Sequence, residues 1–274
     1  MLSTKKSIEC FRLSKYLSTK HSNYFDIYDS ELEEYRNKAI TFVEVGVLNG
    51  GSLFMWREFF GEDAKVIGID FNPEAKKWER EGFQIFIGNQ ADPKFWESFF
   101  SEVGPVDIIL DDGGHTNLQQ IVTTSCCLPY INDNGKLLVE DTHASYMARF
   151  NNPSRYSFIG FVDRVIGSLH SRSGELNINN KKYSDTIDKI TIYNSLISFS
   201  IDRKKCEKNY IIGNSGISDN AIDYRDRDTF NFMVKELLGI KIFSKIKKIY
   251  IVSLIYKLIS KYKESMQVKK YFDL

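Results

Sequence analysis

The sequence predicts a doubly wound α/β fold with a mainly parallel sheet. Short apolar runs ending in glycine or acid recur from residue 41: TFVEVG, KVIGID, FQIFIG, VDIILDD and GKLLVED. The stretches between them are long enough for helices, the pattern of repeated strand, crossover and strand units with helices on both faces. Further on, KITIYNSLISFSID reads as two strands around a turn at Asn194 and Ser195, a hairpin that closes one edge of the sheet.

The segments outside these runs follow in order. Residues 1 to 40 are polar and partly helix-forming; SELEEYRNKA has helical composition with Ser30 as N-cap, and the stretch is expected to cover the core as a lead-in. After the fifth run, NNPSRYS is a loop, FIGFVDRVIGSLHSR has a helical period, and ELNINNKKYSDT is polar and exposed. From about residue 228 the chain is basic and helical in character, with KIFSKIKKIYIVSLIYKLISKYK mixing lysine with bulky apolar residues. An apolar stripe docked on the same domain or on another subunit is the first interpretation of that tail, and contact with an anionic membrane surface the lesser one. The expected organisation is a helical lead-in over 1–40, a core domain over 41–215 and a basic helical extension over 216–274, with apolar faces at both termini favouring a homo-oligomer.

Composition narrows the function classes. Lysine and arginine (37) nearly balance aspartate and glutamate (36), which argues against nucleic acid as the main partner, because a phosphate backbone selects a basic face. The four cysteines, Cys10, Cys126, Cys127 and Cys206, have no paired spacing, so neither a disulfide framework nor a zinc site is expected. The N-terminus lacks the apolar core of a signal peptide, and no apolar run approaches the roughly 18 residues of a membrane span. A reducing cytoplasm is the expected location.

The first chemical signal is VEVGVLNGGS, where Glu44, Gly46, Gly50, Gly51 and Ser52 end the first strand and open a helix. Gly46 and Gly50 let the backbone approach a ligand at the carboxyl edge of the sheet. Their spacing is G-x-x-x-G-G, a poor match to the G-x-G-x-x-G of a dinucleotide site. The next strand ends in Asp70 about 20 residues on, where an acid accepts hydrogen bonds from both hydroxyls of a ribose. Glu44, Asp70 and a turn unsuited to pyrophosphate point to a nucleoside without a diphosphate, with S-adenosylmethionine the leading choice.

The second signal is a pair of acid-rich strand ends, VDIILDDGGH and KLLVEDTH. Side chains alternate faces along a strand, so Asp111 and Asp112 point opposite ways. In a parallel sheet the tips of both strands share one edge, which brings Asp111, Asp112, Glu140 and Asp141 together with His115 and His143. So many carboxylates in a sheltered cleft repel, and a hard divalent cation relieves that; oxygen ligands without thiolates favour Mg, Mn or Ca over zinc. The bland alternative is a set of ordinary strand-end acids paired with arginine and a loop histidine with a structural hydrogen bond.

The motifs VEVGVLNGGS, GNQAD, LDDGGH, VEDTHASY and ITIYNSL, in this order, resemble the magnesium-dependent sugar O-methyltransferases of the macrocin and mycinamicin type, with related proteins labelled cephalosporin hydroxylases or rhamnosyl O-methyltransferases. The likeness covers roughly residues 40 to 202 and leaves out both ends of the chain. It implies a class I methyltransferase fold, Rossmann-like and seven-stranded. By motif position it implies Asp112, Glu140 and Asp141 as metal ligands and His115 as general base, with His143 next in line. Glu44, Gly46, Asp70, Gln90, Asp92 and Asp111, with Gly50 and Ser52 of the same turn, would surround S-adenosylmethionine, leaving S-adenosylhomocysteine as product. Two departures stand out: Asn89 where relatives carry an acid, and Asn194 in place of an aspartate in the hairpin.

The expected chemistry is an in-line attack of a sugar hydroxyl on the sulfonium methyl. Mg would chelate a substrate diol and His115 would take the proton. The acceptor is expected to be a sugar-containing small molecule or glycan precursor, with bacterial surface glycans, nucleotide sugars and glycosides all open. A catechol-type O-methyltransferase is the nearest rival; an iron hydroxylase would need two histidines and a carboxylate and gives the cofactor turn no role. A binding or scaffold subunit that keeps the fold without turnover is the non-enzymatic alternative.

Overall fold

The computed structural model describes residues 4–173 and 182–217, together with Leu258, Tyr262, Ser265, Met266, Val268 and Lys269. The five apolar runs form strands β1 (Thr41–Val45), β2 (Lys65–Asp70), β3 (Gln84–Ile87), β4 (Val106–Asp111) and β5 (Ile131–Val139), which pair parallel with one another. The hairpin is β6 (Ile187–Ile192) and β7 (Ile197–Ile201), and β7 pairs antiparallel with β5. Its turn falls where Asn194 and Ser195 place it, closed by Tyr193 N donating to Leu196 O at 2.8 Å with Ser195 at φ +66°. The seven strands run in the order β3-β2-β1-β4-β5-β7-β6. The winding reverses between β1 and β4, and a doubly wound sheet opens its ligand crevice at the carboxyl ends beside such a switch point.

Period-two alternation divides the core. Phe42, Ile108, Leu110 and Leu138 face the layer of helices α1 (Ser7–Leu13), α2 (Tyr24–Leu32) and α3 (Gly51–Phe60). Val43, Val45, Ile67, Ile109, Leu137 and Val139 face α4 (Pro93–Val103), α5 (Asn117–Cys127) and α6 (Phe158–His170). Strands buried on both faces in this way explain the near-continuous apolar runs. Both layers are aromatic: Trp56, Phe59 and Phe60 on one side and Trp96, Phe99 and Phe100 on the other are all buried. Fully burying one such side chain contributes about 1.5–3 kcal/mol.

The chain forms two units, Met1–Ile211 and Ile212–Leu274. The sheet and its helices all belong to the first. In the second, the described residues from Leu258 onward are helical, and most of the expected basic tail lies outside the described residues, as does part of ELNINNKKYSDT. Among the described residues no helix is long and apolar enough to cross a membrane.

The N-terminal region differs from expectation at Ser30. It does not cap a helix; it is an exposed residue inside α2, which begins at Tyr24. The apolar face Tyr24, Phe25, Ile27, Tyr28 and Leu32 recurs at helical spacing and is buried, and packing of that face outweighs a local cap signal. A buried polar network pins α2 to the sheet. Glu31 Oε2 accepts from Lys136 Nζ of β5 at 2.8 Å and from Ser198 Oγ of β7 at 3.0 Å, while Oε1 accepts from Tyr193 OH at 2.5 Å. Burial alone would push the Glu31 carboxyl up, but the hydrogen bonds from Lys136 and Tyr193 and the lysine charge outweigh it and hold it below the usual glutamate value. A carboxyl lowered in the folded state contributes stability above its unfolded pKa of about 4.3 and loses it as pH falls through the folded value. Replacing Lys136 with Met leaves Glu31 buried without its cation and should cost about 3–5 kcal/mol in urea denaturation at pH 7. The difference between variant and wild type should shrink as pH falls through the lowered folded value, where the wild type protonates Glu31 as well.

Candidate active site

A cavity of about 750 Å³ opens over the carboxyl ends of β1, β2, β4 and β5. One end is built by the turn after β1. Gly46 has φ +95°, and a Cβ there would overlap the carbonyl oxygen of Asp112, so the β1 turn and the β4 tip pack backbone to backbone. Asp70, at the tip of β2, accepts from Val47 N at 2.8 Å and Leu48 N at 2.9 Å through Oδ2, and from Asn72 N at 2.8 Å through Oδ1. An ionised carboxylate has about four lone-pair sites, so Asp70 holds the turn and keeps capacity for further donors facing the cavity. Phe71 beside it is exposed, and Asn89 and Gln90 form the adjoining wall.

The other end is acidic, and strand geometry decides which acids meet. Glu44, Asp112 and Glu140 fall on the α1–α3 side of the sheet, and Asp111 on the opposite side. The three that share a side surround one ammonium group. Lys20 Nζ lies 2.6 Å from Asp112 Oδ2, 3.1 Å from Glu140 Oε2 and 3.7 Å from Glu44 Oε1, with its side chain 1% exposed. Glu140 Oε1 also accepts from Tyr28 OH of α2. Burial disfavours the Lys20 charge, but Asp112, Glu140 and Glu44 outweigh it and hold the ammonium protonated far above a free lysine. Burial and the Asp112 charge push the Glu140 carboxyl well up, and burial raises Glu44 to about 7 against the pull of Lys20. The expected repulsion among these acids is thus relieved first by a lysine of the chain itself.

His115 and Asp141 complete this end. Both sit in the left-handed region, at φ +58° and +53°, where a non-glycine residue carries strain of about 1–3 kcal/mol. The Thr116–Gln119 capping box of α5 follows His115 immediately, and Gly114 N donates to Gln90 Oε1 at 2.8 Å, which fixes the loop from both sides. His115 Nε2 lies 3.3 Å from Asp141 Oδ2 and 4.0 Å from Asp112 Oδ1, while Nδ1 is buried without a partner among the described residues. Tyr24 OH accepts from Asp141 N at 3.0 Å and donates to its Oδ1 at 2.7 Å.

Several expected site residues stand behind the cavity wall. Glu44 is fully buried and accepts from Ser52 Oγ at 2.7 Å and Trp56 Nε1 at 3.2 Å; Ser52 reaches the cavity, but its hydroxyl is spent on Glu44. Asp111 accepts from Gln90 Nε2 at 2.9 Å and Gly113 N at 3.2 Å, and burial raises its carboxyl to about 6; Oδ2, without a partner among the described residues, is the oxygen suited to carry that proton. Gln90 therefore braces the β4 loop as much as it lines the cavity. Gly50 caps α3 at φ +77°, where a Cβ would strike Trp78. Asp92 lies off the cavity wall and caps α4, accepting from Lys94 N at 3.0 Å, with Pro93 starting that helix. His143 also lies off the wall, its ring edge-on to His21 at 5.4 Å.

The donor set bears on the expected metal. Asp112, His115 and Asp141 each offer one ligand atom, all within 4.8 Å of one another, as do His21, Asp141 and His143. Carboxylate oxygens with an imidazole and no thiolate suit Mg or Mn. Asp112 Oδ1 and Asp141 Oδ2 are turned to that cluster, whereas the oxygens of Glu140 are held by Lys20 and Tyr28. A hard divalent ion fits at Asp112 and Asp141; the third expected ligand, Glu140, is engaged elsewhere.

Comparison with known proteins places the architecture. The mycinamycin-pathway methyltransferase MycE, solved with Mg, S-adenosylhomocysteine and mycinamycin VI, superposes with a TM-score of 0.65 at 22% identity, over 85% of this chain and 60% of MycE. The fold is that of a class I methyltransferase. Among curated proteins, the 8-demethyl-8-alpha-L-rhamnosyl tetracenomycin-C 2'-O-methyltransferase of Streptomyces olivaceus is 30% identical over 158 residues, 54% of this chain and 41% of the relative. The demethylmacrocin O-methyltransferase of Streptomyces fradiae is 27% identical over 188 residues, 63% of this chain and 47% of the relative. The chain spans about half the length of the curated relatives it matches, and no family model matches it.

Four residues of this site escaped the sequence: Lys20, His21 and Tyr24, which line the cavity, and Tyr28 behind them on Glu140. All come from the first 40 residues and reach the acids across the sheet edge, separated from them by about 90 to 120 positions. No local pattern marks them. Gly46→Ala should destabilise the fold by about 1–3 kcal/mol, because the positive φ and the overlap with Asp112 cannot both be relieved. Gly167→Ala in α6, where a Cβ meets nothing within 4 Å, should instead stabilise by about 0.5–1 kcal/mol. Thermal denaturation of the two variants should show melting shifts of opposite sign.

Proposed function

We propose that this chain is a metal-dependent O-methyltransferase that moves a methyl group from S-adenosylmethionine to a sugar hydroxyl. The observation that carries this proposal is a single cavity with a glycine turn and Asp70 at one end and Asp112, His115 and Asp141 at the other. The relatives support the reaction class, since both are O-methyltransferases and the name of one specifies a rhamnosyl substrate. S-adenosylmethionine would lie along the Gly46 turn with its ribose at Asp70 and its adenine toward Phe71 and Asn89. A cavity of about 750 Å³ has the usual size for such a ligand. Its acidic lining also favours a sulfonium, which is cationic.

Asp112 and Asp141 would hold a divalent ion, with Glu140 joining them when Lys20 releases it. Such an ion supplies Lewis-acid stabilisation of alkoxide charge on the acceptor oxygen. His115 Nε2 takes the hydroxyl proton, and Asp141 at 3.3 Å stabilises the imidazolium that forms. The strained His115 and Asp141 backbones, held by the capping box and by Tyr24, keep base and acid facing each other before substrate arrives. The acceptor is a sugar-containing small molecule or glycan precursor; glycosylated natural products join surface glycans and nucleotide sugars as the classes to screen. The four free cysteines suit a reducing cytoplasm.

A second function, a cofactor-binding subunit without turnover, is favoured by one observation, the Lys20 ammonium seated between Asp112 and Glu140. Turnover separates the two. Incubation with S-adenosylmethionine, Mg and a panel of glycosides and nucleotide sugars should yield S-adenosylhomocysteine, and a chelator should stop it. His115→Ala should lower turnover by about 10²-fold or more while calorimetric affinity for S-adenosylhomocysteine stays within about twofold. His143→Ala should retain most activity, and the opposite ranking would move the base to His143.

A further inference from the structure

Lys20 lies on an irregular strap, residues 14–23, between α1 and α2. The strap is fixed at both ends. Ser14 Oγ donates to Gly51 O at 2.7 Å, Tyr16 packs edge-on to Trp78 at 4.5 Å, and beyond Lys20 the chain enters α2. Between those anchors Leu17 is exposed and residues 17–21 line the cavity, so Lys20 is carried by a short bridge over the site rather than by a helix.

Its ammonium uses the oxygens that a metal would need. Asp112 Oδ2 is 2.6 Å away, both Glu140 oxygens lie within 3.2 Å, and the remaining donor to Glu140 is Tyr28 OH. Metal–oxygen distances of about 2.0–2.1 Å for Mg would place an ion on Glu140 against the ammonium itself. Glu44, 3.7 Å from Lys20 Nζ, is already bonded to Ser52 and Trp56 and is the farthest of the three carboxylates from the ammonium.

We infer that Lys20 is a resident cation that competes with the divalent ion for Asp112 and Glu140, so that full metal loading requires the strap to withdraw it. The inference rests on the metal-dependent function proposed above. In the metal-free protein Lys20 pairs with the acids and holds the strap down; in the loaded protein Glu140 is released to the ion and the strap lifts.

The test measures Mn²⁺ binding to the full chain, by calorimetry and by loss of the free-ion paramagnetic signal, without cofactor or acceptor. Lys20→Met should bind Mn²⁺ at least tenfold more tightly than wild type, and Lys20→Arg, which keeps the charge, should not. Equal or weaker binding by Lys20→Met, with Mn²⁺ bound by both, would remove the competition and leave the metal site standing. Binding to neither protein would overturn both. Should Lys20→Met fail to fold, wild type answers by itself: saturating Mn²⁺ should speed tryptic cleavage after Lys20 severalfold, and cleavage that is unchanged or slowed overturns the inference.

Discussion

The structure depends on how three carboxylates on one side of a parallel sheet share a single ammonium. At an effective dielectric constant near 20, two like charges about 4 Å apart repel by about 4 kcal/mol, enough to threaten a domain of ordinary stability. Glu44, Asp112 and Glu140 avoid that cost through Lys20, and burial keeps the Glu44 and Glu140 carboxyls raised toward their neutral forms. The cluster still carries more acid than base. That imbalance makes the cavity attractive to cations.

Placement of the acids follows from the sheet. Alternation sends Asp111 to the α4–α6 side, where it braces Gln90 and the glycine loop, and sends Asp112 toward Lys20. The same alternation along β5 puts Lys136 and Glu140 on one side, the first anchoring α2 through Glu31 and the second receiving Tyr28 of that helix. Helix α2 is therefore tied to the sheet at two points of one strand. Its tyrosines hold Glu140 and Asp141, so the N-terminal region is part of the site as well as a cover for the core.

Rigidity and freedom are distributed accordingly. His115 and Asp141 adopt left-handed backbones that a capping box, Gln90 and Tyr24 over-determine, the way a site stores strain to keep reacting groups aligned. The strap that carries Lys20 has no helix or strand of its own between its anchors. A fixed His115–Asp141 pair therefore stands beside a lysine carried by a segment without regular structure.

Much of this was legible in the sequence. Apolar runs ending in acid or glycine specify buried parallel strands because such strands need no polar face, and the hairpin at Asn194 and Ser195 was marked by its turn residues. The proximity of Asp112 and His115 was visible because they lie three positions apart at a strand tip. An acid ahead of proline, as at Asp92, suits a helix cap as well as a ligand, and Ser30 misled because a cap signal is weaker than a buried helical face. Lys20, Tyr24 and Tyr28 lie about 90 to 120 positions from Asp112, Asp141 and Glu140, and local spacing holds no record of such contacts. The sequence by itself determined the strands, their order of chemistry and the acids at their tips, since these follow from periodicity over a few residues. Only the tertiary structure decided which of those acids meet and what neutralises them, because that depends on chain segments brought together by packing across the sheet.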